Sequence, residues 1–163
     1  MLEAGEDVSF SKRSVNLSVS TCALGNKENE DNEDDLMSQL EIELISSDPN
    51  ECVDQPSDGD IVKVHYVLFI QGKNGEKVEI ENSRAMVKKE EITVYNQPLE
   101  WVCGCDQVIK GWDLAIKTFE GQSRKLITIP PSLAYGEEGH LPGIPSKATL
   151  VCDIELIDIE HCN

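Results

Sequence analysis

One stretch limits the choice of fold more than any other: Val108-Ile109-Lys110-Gly111-Trp112-Asp113-Leu114-Ala115-Ile116. Trp112, Ala115, Ile116 and Phe119 recur at helical spacing and predict one short amphipathic helix with a single buried stripe. Gly121 stands where a helix C-terminus favours a residue that tolerates positive φ. The other strong patterns in the chain are strands, so this solitary helix has to cover a sheet. Trp112 opens the helix beside an apolar dipeptide and a glycine. An indole in that place is either core or the floor of a pocket between helix and sheet, and a helical aromatic stripe is more often core.

The strands are read from period-two alternation and β-branched content. Residues 40–44 alternate cleanly, and residues 46–60 form a loop with two prolines and Gly59. Residues 60–70 predict a second strand, with Val62, Val64, Tyr66, Leu68 and Ile70 on one face. A turn cluster at 71–75 and a returning strand at 77–80 make a hairpin. Residues 82–98 mix charges with one strand-like patch and are expected as a long excursion on the sheet edge. Residues 99–103 alternate again and lead into the helix. Residues 124–129 are a strand closed by Pro130-Pro131, and 131–145 are a loop carrying Tyr135, His140 and Ile144. Residues 148–159 are a long strand with Leu150, Cys152, Ile154 and Leu156 on one face. The sum is an α+β domain: five or six antiparallel strands and one helix.

The net charge of −17 excludes most nucleic-acid binders, which neutralise phosphates with Lys and Arg, and argues equally against an anionic membrane surface. No run approaches the roughly eighteen apolar residues of a membrane span. The first residues lack the apolar core of a signal peptide, so a cytoplasmic, monomeric protein with reduced thiols is expected. Residues 1–37 are expected to be a disordered acidic tail and 38–163 the folded domain; the run at 28–35 is nearly all charge or amide. That tail reads as a solubilising leader, as a docking segment for a basic protein partner or, against the absence of the Ca²⁺-loop pattern with its central Gly and terminal Glu, as a weak calcium binder. The six cysteines include one close pair, Cys103-Gly104-Cys105. Two thiols alone are half a zinc site, so no metal and no cofactor are expected, and a thiol-redox role is the minor alternative.

No nucleophile–base pair or phosphate loop stands out. His65 lies mid-strand, where a packed histidine is the ordinary outcome, and His140 is either pocket rim or solvated turn. What recurs is aromatic and aliphatic side chains at turning points: Tyr66, Trp101, Val108, Ile109, Trp112, Tyr135 and Ile144. A concave apolar site edged by a few polar groups is the usual ligand pocket.

At this point the chain resembles the FKBP family of immunophilins. The resemblance rests on Gly59-Asp60-x-Val62-x-Val64-His65-Tyr66, the Val108 to Asp113 stretch, Arg124-Lys125-Leu126-x-x-Ile129-Pro130-Pro131, Leu133-Ala134-Tyr135-Gly136, Gly139-His140 and Ile144-Pro145-x-x-Ala148-Thr149-Leu150-Val151. It runs from about residue 39 to 160, and the order of the motifs makes it specific. It implies an antiparallel sheet wrapped around a short helix. It also implies peptidyl-prolyl cis/trans isomerase activity on proline-containing protein substrates, with macrolide binding in many members. Residue by residue, it makes Trp112 the pocket floor and Tyr66, Val108 and Ile109 wall, with the Ile109 N–H a donor to the ligand. Tyr135 becomes a hydroxyl donor to a substrate carbonyl, and His140 and Ile144 a flexible lip. Trp101 is counted with the substrate-binding residues.

Several positions depart from the family pattern. The usual Phe-Asp pair after the first hairpin is replaced by Ile80-Glu81 or by Val78-Glu79. Leu99 stands for an aromatic and Cys152 for a Phe. The arginine expected after Ser83-Arg84 is absent, and the 85–98 loop is long. Aromatic-to-smaller changes widen the pocket, so weakened isomerase activity and weakened macrolide binding are expected. The competing expectation is a non-catalytic FKBP-type interaction module that presents the 85–98 loop and the acidic tail.

Overall fold

The computed structural model describes residues 32–50, 54–89, 92–95, 97–140 and 142–162, with side chains left aside in the strands between 86 and 95. The chain forms α1 (Glu33–Met37), β1 (Glu41–Ser46), β2 (Ile61–Gln71), β3 (Lys77–Asn82), β4 (Met86–Lys89), β5 (Ile92–Tyr95), β6 (Leu99–Val102), α2 (Lys110–Ile116), β7 (Arg124–Ile129), a 3-10 turn (Pro131–Leu133) and β8 (Leu150–Glu160). Strands run in the order β1-β7-β8-β2-β3, with β6 also pairing β2, and the pairings are all antiparallel. This is the α+β architecture expected. The sheet curls over α2, and the face predicted for β2 and β8 is the buried one: Val62, Val64, Tyr66 and Leu68 meet Leu150, Cys152, Ile154 and Leu156. Each fully buried side chain of this kind stabilises by about 1.5–3 kcal/mol relative to exposure.

Three local expectations change. The helix ends at Ile116, with Lys117 as its C-cap, rather than running on to Gly121. Gly121 does take a positive φ, +52°, but in the loop beyond. Nor is α2 amphipathic: every residue from Gly111 to Ile116 is buried, because the sheet wraps the helix instead of lying along one side. The 82–98 excursion contains a hairpin of its own, β4 paired with β5 as a separate two-stranded sheet.

Residues 33–37, at the end of the expected tail, form α1. In α1, Glu33, Asp34 and Asp35 occupy the first turn, where the helix dipole favours anions. Leu36 and Met37 pack against the core, and Lys117 Nζ lies between Glu33 (2.6 Å) and Asp58 (2.8 Å). The tail expected over residues 1–31 lies outside the described residues.

Gly111 sets how close α2 comes to the sheet. A Cβ built there would lie 2.5 Å from Ile129 Cγ2 on β7, so a larger residue would push the helix away. The close approach holds the next residue, Trp112, against the sheet centre.

Candidate functional site

Trp112 is 1% exposed and sits over the middle of β8 and β2. Its indole N–H donates to Cys152 Sγ at 3.1 Å. The Tyr66 ring meets it edge-on, centroids 5.0 Å apart at 65°, and Trp101 lies tilted at 6.0 Å. Edge-to-face pairs of this kind exploit the ring quadrupole. Burial pushes the Cys152 thiol up to about 12, only partly offset by the indole bond, so the sulfur stays neutral. The base of the site is therefore aromatic, uncharged and dry.

A polar wall stands on β3, and a bulge places it. Phe69 pairs with Glu79 and Leu68 with Glu81, which leaves Ile80 as the extra residue. A bulge of this type re-aims the side chains after it. Glu81 thereby moves to the core-facing side with Leu68, and it is 8% exposed. Val78 remains 52% exposed and Glu79 is exposed too, so Ile80-Glu81 is the pair at the site. The Tyr66 phenol is hydrogen-bonded to Glu81. Burial first, then the Glu81 charge and that bond, hold the phenol proton far more tightly than usual. Tyr135 shifts the same way, through burial and then the charge of Glu81. Both phenols thus remain neutral donors at any physiological pH.

Ser83, which sequence reasoning missed, fixes Tyr66 from behind. Its Oγ accepts the Tyr66 N–H at 2.8 Å and lies 3.0 Å from His65 Nδ1, while its own N–H donates to the Tyr66 carbonyl at 2.9 Å. His65 is accordingly hydrogen-bonded rather than pocket-lining. Burial, then the nearby Arg84, lower its pKa.

The lip follows the 3-10 turn. Tyr135 stacks on His140, centroids 5.2 Å apart at 25°. His140 and Ile144 exchange two backbone hydrogen bonds of 2.8 Å each, which closes the loop. Gly139 makes this possible at φ +70°, with the Pro145 carbonyl oxygen 2.5 Å from where a Cβ would stand. Ile144, expected on a flexible lip, is instead 1% exposed and packed into the core. Ile80, Leu99, Tyr135 and His140 are half-buried and are the accessible members of the set.

Val108 and Ile109 are buried at the entry to α2, where the Ile109 carbonyl accepts from the N–H groups of Trp112 (3.0 Å) and Asp113 (3.3 Å). Among the described residues the Ile109 N–H has no intramolecular acceptor. Orphan donors at a helix N-terminus are the groups a ligand oxygen can use. Trp101 is 2% exposed and donates its indole N–H to Asp113 Oδ1 at 3.3 Å, so it braces Trp112 rather than facing solvent. The same oxygen accepts the Gly104 N–H at 2.9 Å. Asp113 is 3% exposed and was not singled out from the sequence, although it lies within a quoted motif. Cys103, Cys105, Cys152 and Cys162 are free thiols. Cys103 is wholly buried and its thiol is pushed up to about 12, which makes it a poor nucleophile.

The comparisons agree with this geometry. The profile of the FKBP-type peptidyl-prolyl cis-trans isomerase family matches residues 52–157. The mouse protein named peptidyl-prolyl cis-trans isomerase FKBP2 is 39% identical over 111 residues, 68% of this chain and 69% of its own. FK506-binding protein 2 of Dictyostelium discoideum is 38% identical over 112 residues, 68% of this chain and 74% of its own. The Saccharomyces cerevisiae protein named peptidyl-prolyl cis-trans isomerase FPR2 is 39% identical over 127 residues, 76% of this chain and 84% of its own. With an indole at the head of the central helix, a neutral phenol edge-on to it and this likeness over most of its length, the chain belongs to the FKBP family of peptidyl-prolyl cis-trans isomerases.

Proposed function

We propose that the site around Trp112 isomerises X–Pro bonds of polypeptide substrates, with Trp112 under the prolyl ring, Tyr66, Val108, Ile109, Ile80 and Leu99 around it, and Cys152 buried against the indole. The observation that carries this is the uncharged Trp112–Tyr66 pair at 5.0 Å, with Tyr66 and Tyr135 both held as neutral phenols. The reaction needs no nucleophile. A planar amide is held by resonance, with a barrier of about 18–20 kcal/mol. Near the top the amide is twisted by about 90° and the carbonyl is less dipolar, so an apolar pocket disfavours it less than the planar form. Binding the twisted proline better than the planar one lowers the barrier. The Tyr135 hydroxyl and the Ile109 N–H hold the flanking carbonyls in register.

Activity is weaker than is usual in the family, and macrolides bind less tightly. Half-buried Leu99 presents less surface to a bound ring than an aromatic would, and Cys152, wholly buried against Trp112, leaves the floor without an aromatic; a loss of about 1–2 kcal/mol in the transition state is five- to thirty-fold in rate. Exchange spectroscopy on a short X–Pro peptide tests the activity, since full family-like turnover would overturn the weakening, and Trp fluorescence on titration with a macrolide tests the affinity. A second reading, an interaction module, draws on the β4–β5 hairpin, which forms a two-stranded sheet separate from the main one. A pure module would leave the uncatalysed exchange rate unchanged.

A further inference from the structure

The chain is strongly acidic, and its few cations are mostly engaged. Lys63, Arg84, Lys110, Lys117 and Arg124 sit in ion pairs, and Lys125 donates to the Thr118 carbonyl over the Phe119 ring. Among the described residues with side chains, the cations that have neither an ion pair nor a hydrogen bond of that kind are Lys73, Lys77 and Lys147. They gather at one end of the molecule. Lys73 lies in the β2–β3 turn, Lys77 opens β3, and Lys147 follows the lip.

Lys73 and Lys147 also line one groove of about 530 Å³, together with Ile70, Gly72, Pro145 and Ala148. Its two banks are joined where the Gln71 N–H donates to the Thr149 carbonyl at 3.0 Å, and the second bank is tied to the lip where the Lys147 N–H donates to the Gly136 carbonyl at 3.1 Å. The second bank runs directly on from Ile144, and the lip touches the site wall where Gly143 comes within a Cβ's reach of Ile80 Cγ2, at 3.6 Å. The groove thus continues the lip: Ile70, Pro145 and Ala148 alternate along it with Gln71, Ser146 and Thr149, Lys73 and Lys147 are its cations, and the Glu76 side chain lies against Gly72. Lys147 holds its place at φ +56°, a conformation uncommon for a residue with a long side chain.

We propose that this groove receives an acidic stretch of the substrate polypeptide flanking the X–Pro bond. The proposal rests on the isomerase reading for its substrate. Charge complementarity selects the occupant: an acidic segment meets repulsion over most of this surface and attraction here. Specificity then comes from outside the prolyl pocket, which offsets the missing aromatic rings at Leu99 and Cys152.

The test uses the full chain and three peptides with the same X–Pro core, flanked by neutral residues, by glutamates or by lysines. Affinity is read from amide shifts and turnover from exchange spectroscopy. The Glu-flanked peptide should bind about three- to tenfold more tightly than the neutral one at low salt, with the gap closing as salt rises. Shifts should fall on residues 70–73 and 145–149. Lys73→Glu with Lys147→Glu should reverse the order of Glu- and Lys-flanked peptides and leave turnover of the neutral peptide unchanged. Lys147→Asn, which suits the positive φ, should remove part of the preference without strain. Equal binding of the three peptides, or a preference that survives the double reversal, would overturn the proposal. If neither protein speeds exchange, the isomerase reading alone fails, and the affinity ratio still decides the groove.

Discussion

The indole N–H of Trp112 ends on the sulfur of Cys152, 3.1 Å away, with both side chains sealed from solvent. Strand β8 therefore supplies the floor's only polar anchor among the described residues. Cys152→Ala would leave that buried donor unsatisfied and open a small void. The expected loss is about 1–3 kcal/mol, read as a lower urea midpoint with an unchanged slope. Unchanged stability would show that the contact contributes nothing.

Gly111→Ala tests the spacing of helix and sheet. Alanine normally gains roughly 0.5–1 kcal/mol over glycine inside a helix. Here its Cβ would fall 2.5 Å from Ile129 Cγ2, and overpacking costs about 1–3 kcal/mol. Net destabilisation is expected by chemical denaturation, together with a changed near-UV signal as Trp112 moves.

Asp113 is the hub behind the floor, accepting from Trp101 and from Gly104 with one oxygen. Asp113→Ala strands two donors and should lower stability by about 2 kcal/mol or more. Asp113→Asn keeps an oxygen for both and should lose less. Equal losses in the two variants would contradict this role.

A pH response comes from the far end of β8. His161 hydrogen-bonds Asp54 at 2.8 Å and Asp60 at 2.9 Å, and these bonds raise its pKa above the ordinary 6.5. That contribution is complete below the unfolded value and fades as pH climbs through the raised folded value. Asp60 shifts the other way, lowered first by the Ser57 N–H and also by His161, below the ordinary 3.8. Its contribution is present above that value and fades in acid as pH drops through the lowered one. Stability should therefore be greatest between the two windows, and His161→Gln should flatten the decline on the alkaline side. The urea midpoint followed from pH 3 to 9 checks both limbs.

The sheet was legible because Val62 to Leu68 and Leu150 to Leu156 alternate with period two, and burial on one face forces that pattern. The candidate site was named at Trp112, Tyr66 and Tyr135 through motif order rather than through periodicity. The short helix was not, since apolar spacing marks one stripe while a curled sheet buries the whole of Gly111 to Ile116. Neither was the β3 bulge: nothing in Val78-Glu79-Ile80-Glu81 says which residue is the extra one. Ser83 and Asp113 are ordinary polar residues in sequence and gain their roles only when distant backbone groups come to them.

The most direct test is exchange spectroscopy on a short, neutral X–Pro peptide with the full chain and with Trp112→Leu, both verified as folded. The account predicts accelerated cis/trans exchange with the natural chain and at least about a tenfold loss with the variant. Exchange at the uncatalysed rate with the natural chain, or equal acceleration by both proteins, would contradict it.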